Sequence, residues 1–248
     1  MKDLLVFENA DLGYRGSPIL RGLSLSFQEG EAVGMVGPNG CGKTTFLRSA
    51  LGLLKPLQGR VDRRPDRRFS YVPQAEELNL LWPQTIRETV ELPLRSRRLF
   101  GRLIPEERAA VEKAMERTGV ASIADRLLRE GSGGQRQRAI IAQAVAQSPD
   151  VILLDEPTKG LDVVAERDLM GLIEDLARSG LTVFLVSHTL HLPLNFCQRI
   201  LLFHSGRVID TTPKEIVETN RLETVYGVPF VHMERDGQRF VMPARGTR

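Results

Sequence analysis

A chain of 248 residues that is 42% hydrophobic and 26% charged has the make-up of a globular protein, of a size that makes one domain or a domain with a lobe. Its net charge of +3 is mild. The arginines cluster at Arg60, Arg63, Arg64, Arg67 and Arg68, and again at Arg95, Arg97, Arg98 and Arg102, but Asp62 and Asp66 dilute the first group and no aromatic platform accompanies it; this favours a solvated face, or a surface near anionic headgroups, over a nucleic-acid partner. No apolar run approaches the roughly 20 residues that span a bilayer, and Asp3 and Glu8 break up the N-terminus where a signal peptide would need an apolar stretch, so a cytoplasmic location is expected. Cys41 and Cys197 form no metal spacing and read as reduced thiols.

In chain order, residues 1 to 30 read as antiparallel strands, with Leu23, Leu25 and Phe27 alternating against Ser24, Ser26 and Gln28. The apolar run Ala32-Val33-Gly34-Met35-Val36 reads as a buried strand and leads into Gly37-Pro38-Asn39-Gly40-Cys41-Gly42-Lys43-Thr44-Thr45, which fits G-x-x-x-x-G-K-[ST] in the strand-loop-helix setting that a phosphate loop requires. Glycines let successive N–H groups turn toward a polyphosphate, and the helix that starts near Lys43 adds the favourable potential of its N-terminus. Lys43 supplies a compact charge to the terminal phosphates. Thr44 offers a hydroxyl to Mg²⁺, an ion that keeps several waters and is shared between protein and phosphate oxygens. A glycine turn that binds nothing is the other reading, and the Lys43-Thr44 pair argues against it.

Gln74 closes the short strand Tyr71-Val72-Pro73-Gln74, after which the pattern turns helical from about 75 to 131, including Pro105 to Thr118 with Glu106 and Glu107 in its first turn. Ser132-Gly133-Gly134-Gln135 follows: Ser132 reads as an N-cap and a helix runs from about Gln135 to Gln147, stopped by Pro149. Asp155 ends the apolar strand Val151-Ile152-Leu153-Leu154, which carries its carboxylate to the carboxyl edge of a parallel sheet, where open α/β folds place ligands. Glu156 comes next; the alternative for this acidic pair is the start of a solvated loop before Pro157. His188 follows another buried-strand pattern, Thr182 to Ser187, and is expected at the same edge. His191, His204 and His232 have no such setting. Val228 to Val241 reads as a hairpin turned by Asp236-Gly237.

The phosphate loop, the Ser132-Gly133-Gly134-Gln135 element and the run ending in Asp155-Glu156, in this order, resemble the ATP-binding-cassette (ABC) ATPases from about residue 3 to about residue 228. The resemblance implies an α/β fold: a P-loop NTPase core with a mixed, largely parallel sheet, an N-terminal antiparallel β-subdomain and an inserted α-helical lobe. The whole chain, 1–248, is then one nucleotide-binding domain, with core over about 1–74 and 132–210, helical lobe over about 75–131 and a C-terminal extension over about 211–248. It implies ATP as substrate and Mg²⁺ as cofactor, held by Thr44, Gln74 and Asp155. Glu156 matches the general base, His188 the switch histidine at the γ-phosphate, and Gln74 the glutamine that senses Mg²⁺. Tyr14 matches the aromatic that stacks on adenine, packing within a hairpin being its other reading. In the family, Ser132 and Gly134 close over the γ-phosphate held by a partner's Lys43 in a head-to-tail dimer, and Asp162 communicates across that interface.

Two residues depart from the family pattern. Gly131 stands where Leu is usual, which removes an apolar anchor and adds backbone freedom, and Lys159 brings charge ahead of Gly160-Leu161-Asp162. With one cassette, a compact lobe and no heptads, the chain resembles the ATPase subunit of an ABC transporter, acting with a second copy or a paralogue beneath separate integral-membrane permease subunits, peripheral on the inner face of the membrane. Leu80-Leu81-Trp82-Pro83-Gln84-Thr85-Ile86, Leu99-Phe100-Gly101-Arg102 and Val225-Tyr226-Gly227-Val228 resemble the zinc/manganese importer branch. Siderophore and cobalamin importers, lipid or drug exporters and non-transport cassette ATPases are the alternatives.

Overall fold

The computed structural model describes residues 3–74, 81–96 and 101–244. The chain divides into two compact units, Met1–Arg67 with Gly180–Arg248, and Arg68–Ser179. Leu80 and Leu99-Phe100 of the importer-like segments, and Arg97 and Arg98 of the second arginine cluster, lie outside the described residues.

The first unit opens with β1 (Leu5–Tyr14) and β2 (Ser17–Phe27), paired antiparallel, and β1 also pairs antiparallel with β4 (Gln58–Arg63). Leu23 and Phe27 of β2 turn inward while Ser24 and Ser26 stay outside, as the period of two requires, and a shift of register against β1 brings Leu20 inward as well. A second set of strands carries β3 (Ala32–Val36), which runs parallel to β7 (Thr182–Val186) on one side and to β8 (Arg199–His204) on the other, with β9 (Arg207–Thr211) antiparallel to β8. β3 and β7 are buried throughout, which is why their sequences are continuous apolar runs. The helix α1 (Lys43–Ala50) is fastened by Phe46, whose ring stacks on Phe7 at 4.6 Å and meets Phe27 and Phe203 edge-on at 6.1 and 5.8 Å. That aromatic cluster fixes the helix that follows the phosphate loop.

The unit also holds α6 (His191–Phe196), α7 (Pro213–Glu218), α8 (Arg221–Tyr226) and the hairpin of β10 (Phe230–Arg235) and β11 (Gln238–Pro243). Asp236 and Gly237 both adopt positive φ, 52° and 74°, as a two-residue hairpin turn demands. Arg60 pairs with Glu8 and Asp62, and Arg64 and Arg67 with Glu29 and Asp66, so these arginines of the first cluster are balanced by carboxylates on their own surface.

The second unit contains the parallel pair β5 (Phe69–Val72) and β6 (Val151–Asp155), with α2 (Ile86–Arg95), α3 (Pro105–Thr118), α4 (Gly133–Ala146) and α5 (Val163–Arg178). The start of α3 coincides with Pro105 at its first position, and its end with Gly119 in the left-handed region at φ 72°. α4 is the hub: Ile140, Ile141, Ala142 and Ala144 are buried, and Gln143 donates to the Thr89 carbonyl of α2 at 2.7 Å. It begins two residues ahead of the expected Gln135 because Ser132 caps it, and Ser148, at φ 50°, turns the chain before Pro149 is reached. Among the described residues no helix is long and apolar enough to cross a membrane.

Candidate nucleotide site

In the first unit, β3 ends at Val36 and the chain leaves the sheet edge through the phosphate loop. Two glycines there are sterically obligatory. A Cβ on Gly37 would lie 2.5 Å from the Phe203 carbonyl oxygen, and one on Gly42, at φ 106°, would lie 2.8 Å from Leu20 Cγ. Lys43 is only 7% exposed, and its ammonium donates to the carbonyls of Gly37 at 2.7 Å and Pro38 at 2.9 Å, with Cys41 Sγ 3.8 Å away. The charge is thus curled back into its own loop on two neutral acceptors. α1 opens on Gly42 with no side-chain cap, and Asn39, Gly40 and Thr44 are exposed while Thr45 is buried.

Met35 of β3 stands beside Val186 of β7 in parallel register, so Gly37 and His188 leave the same sheet edge. His188 is exposed, and the Ser187 hydroxyl takes the Thr189 N–H at 3.0 Å to shape the turn that presents it. Tyr14, the last residue of β1, is 39% exposed, and its hydroxyl accepts from Arg48 of α1 at 3.2 Å. Its ring face is therefore held near the helix that starts at Lys43.

Nothing in the residue pattern pointed to one further neighbour. Tyr226, at the end of α8, lies against the loop: burial pushes its phenol up to about 12, the proximity of Cys41 adds to the rise, and a hydrogen bond from the Gly37 backbone opposes it.

In the second unit, β5 and β6 run parallel, so Gln74 and Asp155 leave one edge together. Asp155 is 1% exposed and accepts from the Tyr71 hydroxyl at 3.1 Å. Glu156 is also buried and adopts φ 51°, the left-handed region that a residue with a Cβ enters at a cost. Ser132 and Gln135 form a reciprocal capping box: the Ser132 Oγ accepts from the Gln135 N–H at 3.2 Å and the Gln135 side chain accepts from the Ser132 N–H at 3.0 Å.

Gly133 and Gly134 face the start of α5, where a Cβ would come to 3.3 Å from Leu161 and 3.2 Å from Ala165. Asp162 has a local task of its own, capping α5 by accepting from the Ala165 N–H at 2.8 Å. The backbone freedom expected at Gly131 is not used: the residue is buried at φ −70° and ψ 152°, which any residue adopts, and Arg136 donates to its carbonyl at 2.9 Å. Lys159 is exposed, with its N–H bonded to the Glu156 carbonyl at 3.1 Å.

Among the described residues no group of three or more His, Cys, Asp or Glu side chains could hold a metal by itself. The hydroxyl of Thr44, the amide of Gln74 and the carboxylate of Asp155 are hard oxygen donors, the kind that Mg²⁺ takes in small number while waters and phosphates complete its shell.

Residues 20–159 match the family model described as ABC transporter. The zinc import ATP-binding protein ZnuC of Cereibacter sphaeroides is 38% identical over 210 residues, which cover 84% of this chain and 82% of that protein. A nucleotide-free ATP-binding cassette from an ABC transporter has the same fold, with a TM-score of 0.79 at 22% identity over 91% of this chain and 99% of that one. The dimeric post-hydrolysis state of another ATP-binding cassette, bound to ADP and Pi, is similar at 30% identity with a TM-score of 0.70, covering 84% of this chain and 98% of that one.

Proposed function

Because the chain belongs to the ABC transporter family and is an ATP-hydrolysing transporter subunit, we propose that it powers import of a zinc-class divalent metal ion through separate permease subunits. The observation that carries this reading is the 38% identity to a zinc import ATPase across 84% of the chain. The metal ion is cargo for the permease. This subunit contributes force, and the absence of a transmembrane helix among the described residues fits a place on the inner face of the membrane.

The chemistry follows from the residues. An arriving polyphosphate replaces the Gly37 and Pro38 carbonyls as the partner of the Lys43 ammonium, a gain because two neutral acceptors give way to charged oxygens. The uncapped N–H groups at the start of α1 take the remaining phosphate oxygens. Tyr14 stacks on the adenine. Thr44, Gln74 and Asp155 hold Mg²⁺, which supplies neutralisation of the charge on the terminal phosphates. Glu156 accepts the proton of the attacking water, a role worth about 10²- to 10⁴-fold, and His188 orients the γ-phosphate. Ser132 and Gly134 close on the nucleotide of a second copy or a paralogue, with Asp162 at that interface.

The test is metal uptake in cells lacking this chain. Wild-type protein should restore ⁶⁵Zn²⁺ accumulation and Lys43→Ala should not. Restoration of ferric-siderophore, cobalamin or manganese uptake with zinc accumulation unchanged would replace zinc as the cargo.

A further inference from the structure

We infer that Tyr71 is a positioning residue for Asp155: from the neighbouring strand, its phenol fixes the carboxylate that is to hold Mg²⁺. The inference rests on the reading of Asp155 given above. In the parallel pair, Tyr71 stands opposite Leu153 and Val72 opposite Leu154. A period of two puts Leu153 and Asp155 on the same sheet face, so Tyr71 and Asp155 are diagonal neighbours on that face. Such positions lie about 7–8 Å apart, within reach of an aromatic side chain but not of a short one. The phenol spans the diagonal, and its hydroxyl donates to Asp155 Oδ2 at 3.1 Å.

The alternation along β5 separates this task from core packing. Ser70 and Val72 are buried, while Phe69 and Tyr71 are half-buried on the other face, so the Tyr71 ring is not a deep anchor. Its hydroxyl engages a carboxylate that is 1% exposed, where free water cannot compete for the same oxygen. With Oδ2 engaged, rotation of the carboxylate is restricted and the direction of Oδ1 is set. The chain leaves β5 through Pro73 into Gln74, so the bond ties the strand that delivers Gln74 to the side chain of Asp155. Groups that orient a metal-holding side chain from behind commonly change metal affinity about 10- to 100-fold when removed.

The experiment titrates a non-hydrolysable ATP analogue onto the full-length chain, once with Mg²⁺ and once with EDTA, and reads the ratio of the two affinities. Tyr71→Phe should lower the ratio about 10-fold while leaving the EDTA affinity at the wild-type value, which also reports that the variant is folded. Asp155→Asn should lower the ratio at least as far, and adding Tyr71→Phe to it should lower the ratio no further. A wild-type ratio in Tyr71→Phe alongside a reduced one in Asp155→Asn overturns the role of Tyr71 and leaves Asp155 in place. A wild-type ratio in Asp155→Asn overturns both. Independent, multiplying losses in the double variant mean that Tyr71 acts through something other than this carboxylate. Should Tyr71→Phe lose EDTA affinity as well, the hydroxyl has a general structural role and the inference fails.

Discussion

Two helices in this molecule begin on glycine-rich segments, and they finish their first turns in opposite ways. α1 starts from Gly42 in the left-handed region with no side chain on its free N–H groups, beside a lysine folded onto loop carbonyls. α4 starts from Ser132, and Ser132 and Gln135 satisfy each other's backbone N–H groups. The first start is incomplete without an anion. The second satisfies two of its first N–H groups within its own chain, so a phosphate arriving there finds a formed turn with fewer donors to offer. A glycine-rich helix start can therefore be a standing binding site or a partly capped surface that engages only when a partner brings the ligand. In the mechanism proposed here the protein needs one of each.

The largest effect should come from removing the charge at the incomplete start. Lys43→Ala should abolish ATP binding, read by equilibrium binding of a fluorescent ATP analogue, whereas Ser132→Arg should leave it near wild type. Equal loss in both variants would erase the distinction between the two starts.

Glu156→Gln sharpens the comparison by keeping both helix starts while stopping turnover. ATP should still bind, and hydrolysis should fall about 10²- to 10⁴-fold. In sedimentation, ATP should move this variant from monomer toward dimer, and Ser132→Arg added to it should block the shift with binding intact. A shift that survives Ser132→Arg would remove α4 from the interface.

The smallest effect concerns the capping box itself. Ser132→Ala should cost about 1 kcal/mol in urea unfolding, the usual worth of such a cap. Gly42→Ala should cost more, because a left-handed φ of 106° and a contact 2.8 Å from Leu20 Cγ both oppose the methyl. The reverse order would mean that the box at α4 holds more of the fold than the phosphate loop does.

Local signals made much of this readable from residues alone. Pro105 with two glutamates predicts α3, and its observed bounds, Pro105–Thr118, agree; Asp236-Gly237 marks the hairpin turn; buried apolar runs mark β3, β6 and β7. β4 escaped because almost every side chain along it is exposed, so no apolar alternation announces a strand that pairs with β1. The phosphate loop was legible because its chemistry is contiguous. Tyr71 on Asp155 and Tyr226 on Gly37 were not: the first pair is 84 residues apart, and only the register of β5 against β6 makes them neighbours. Spacing cannot encode a contact that folding creates between distant strands.

The left-handed backbone at Glu156 sets durability against work. Holding a residue with a Cβ there costs roughly 1–2 kcal/mol, more than the ~0.5–1 kcal/mol that the looser unfolded chain of a glycine takes back. On the backbone alone, glycine would therefore be the easier residue to hold at this position, but it would lack the carboxylate assigned to water activation. Selection for heat resistance alone would disfavour the left-handed glutamate, so the role proposed for Glu156 in water activation is one held at the expense of the fold.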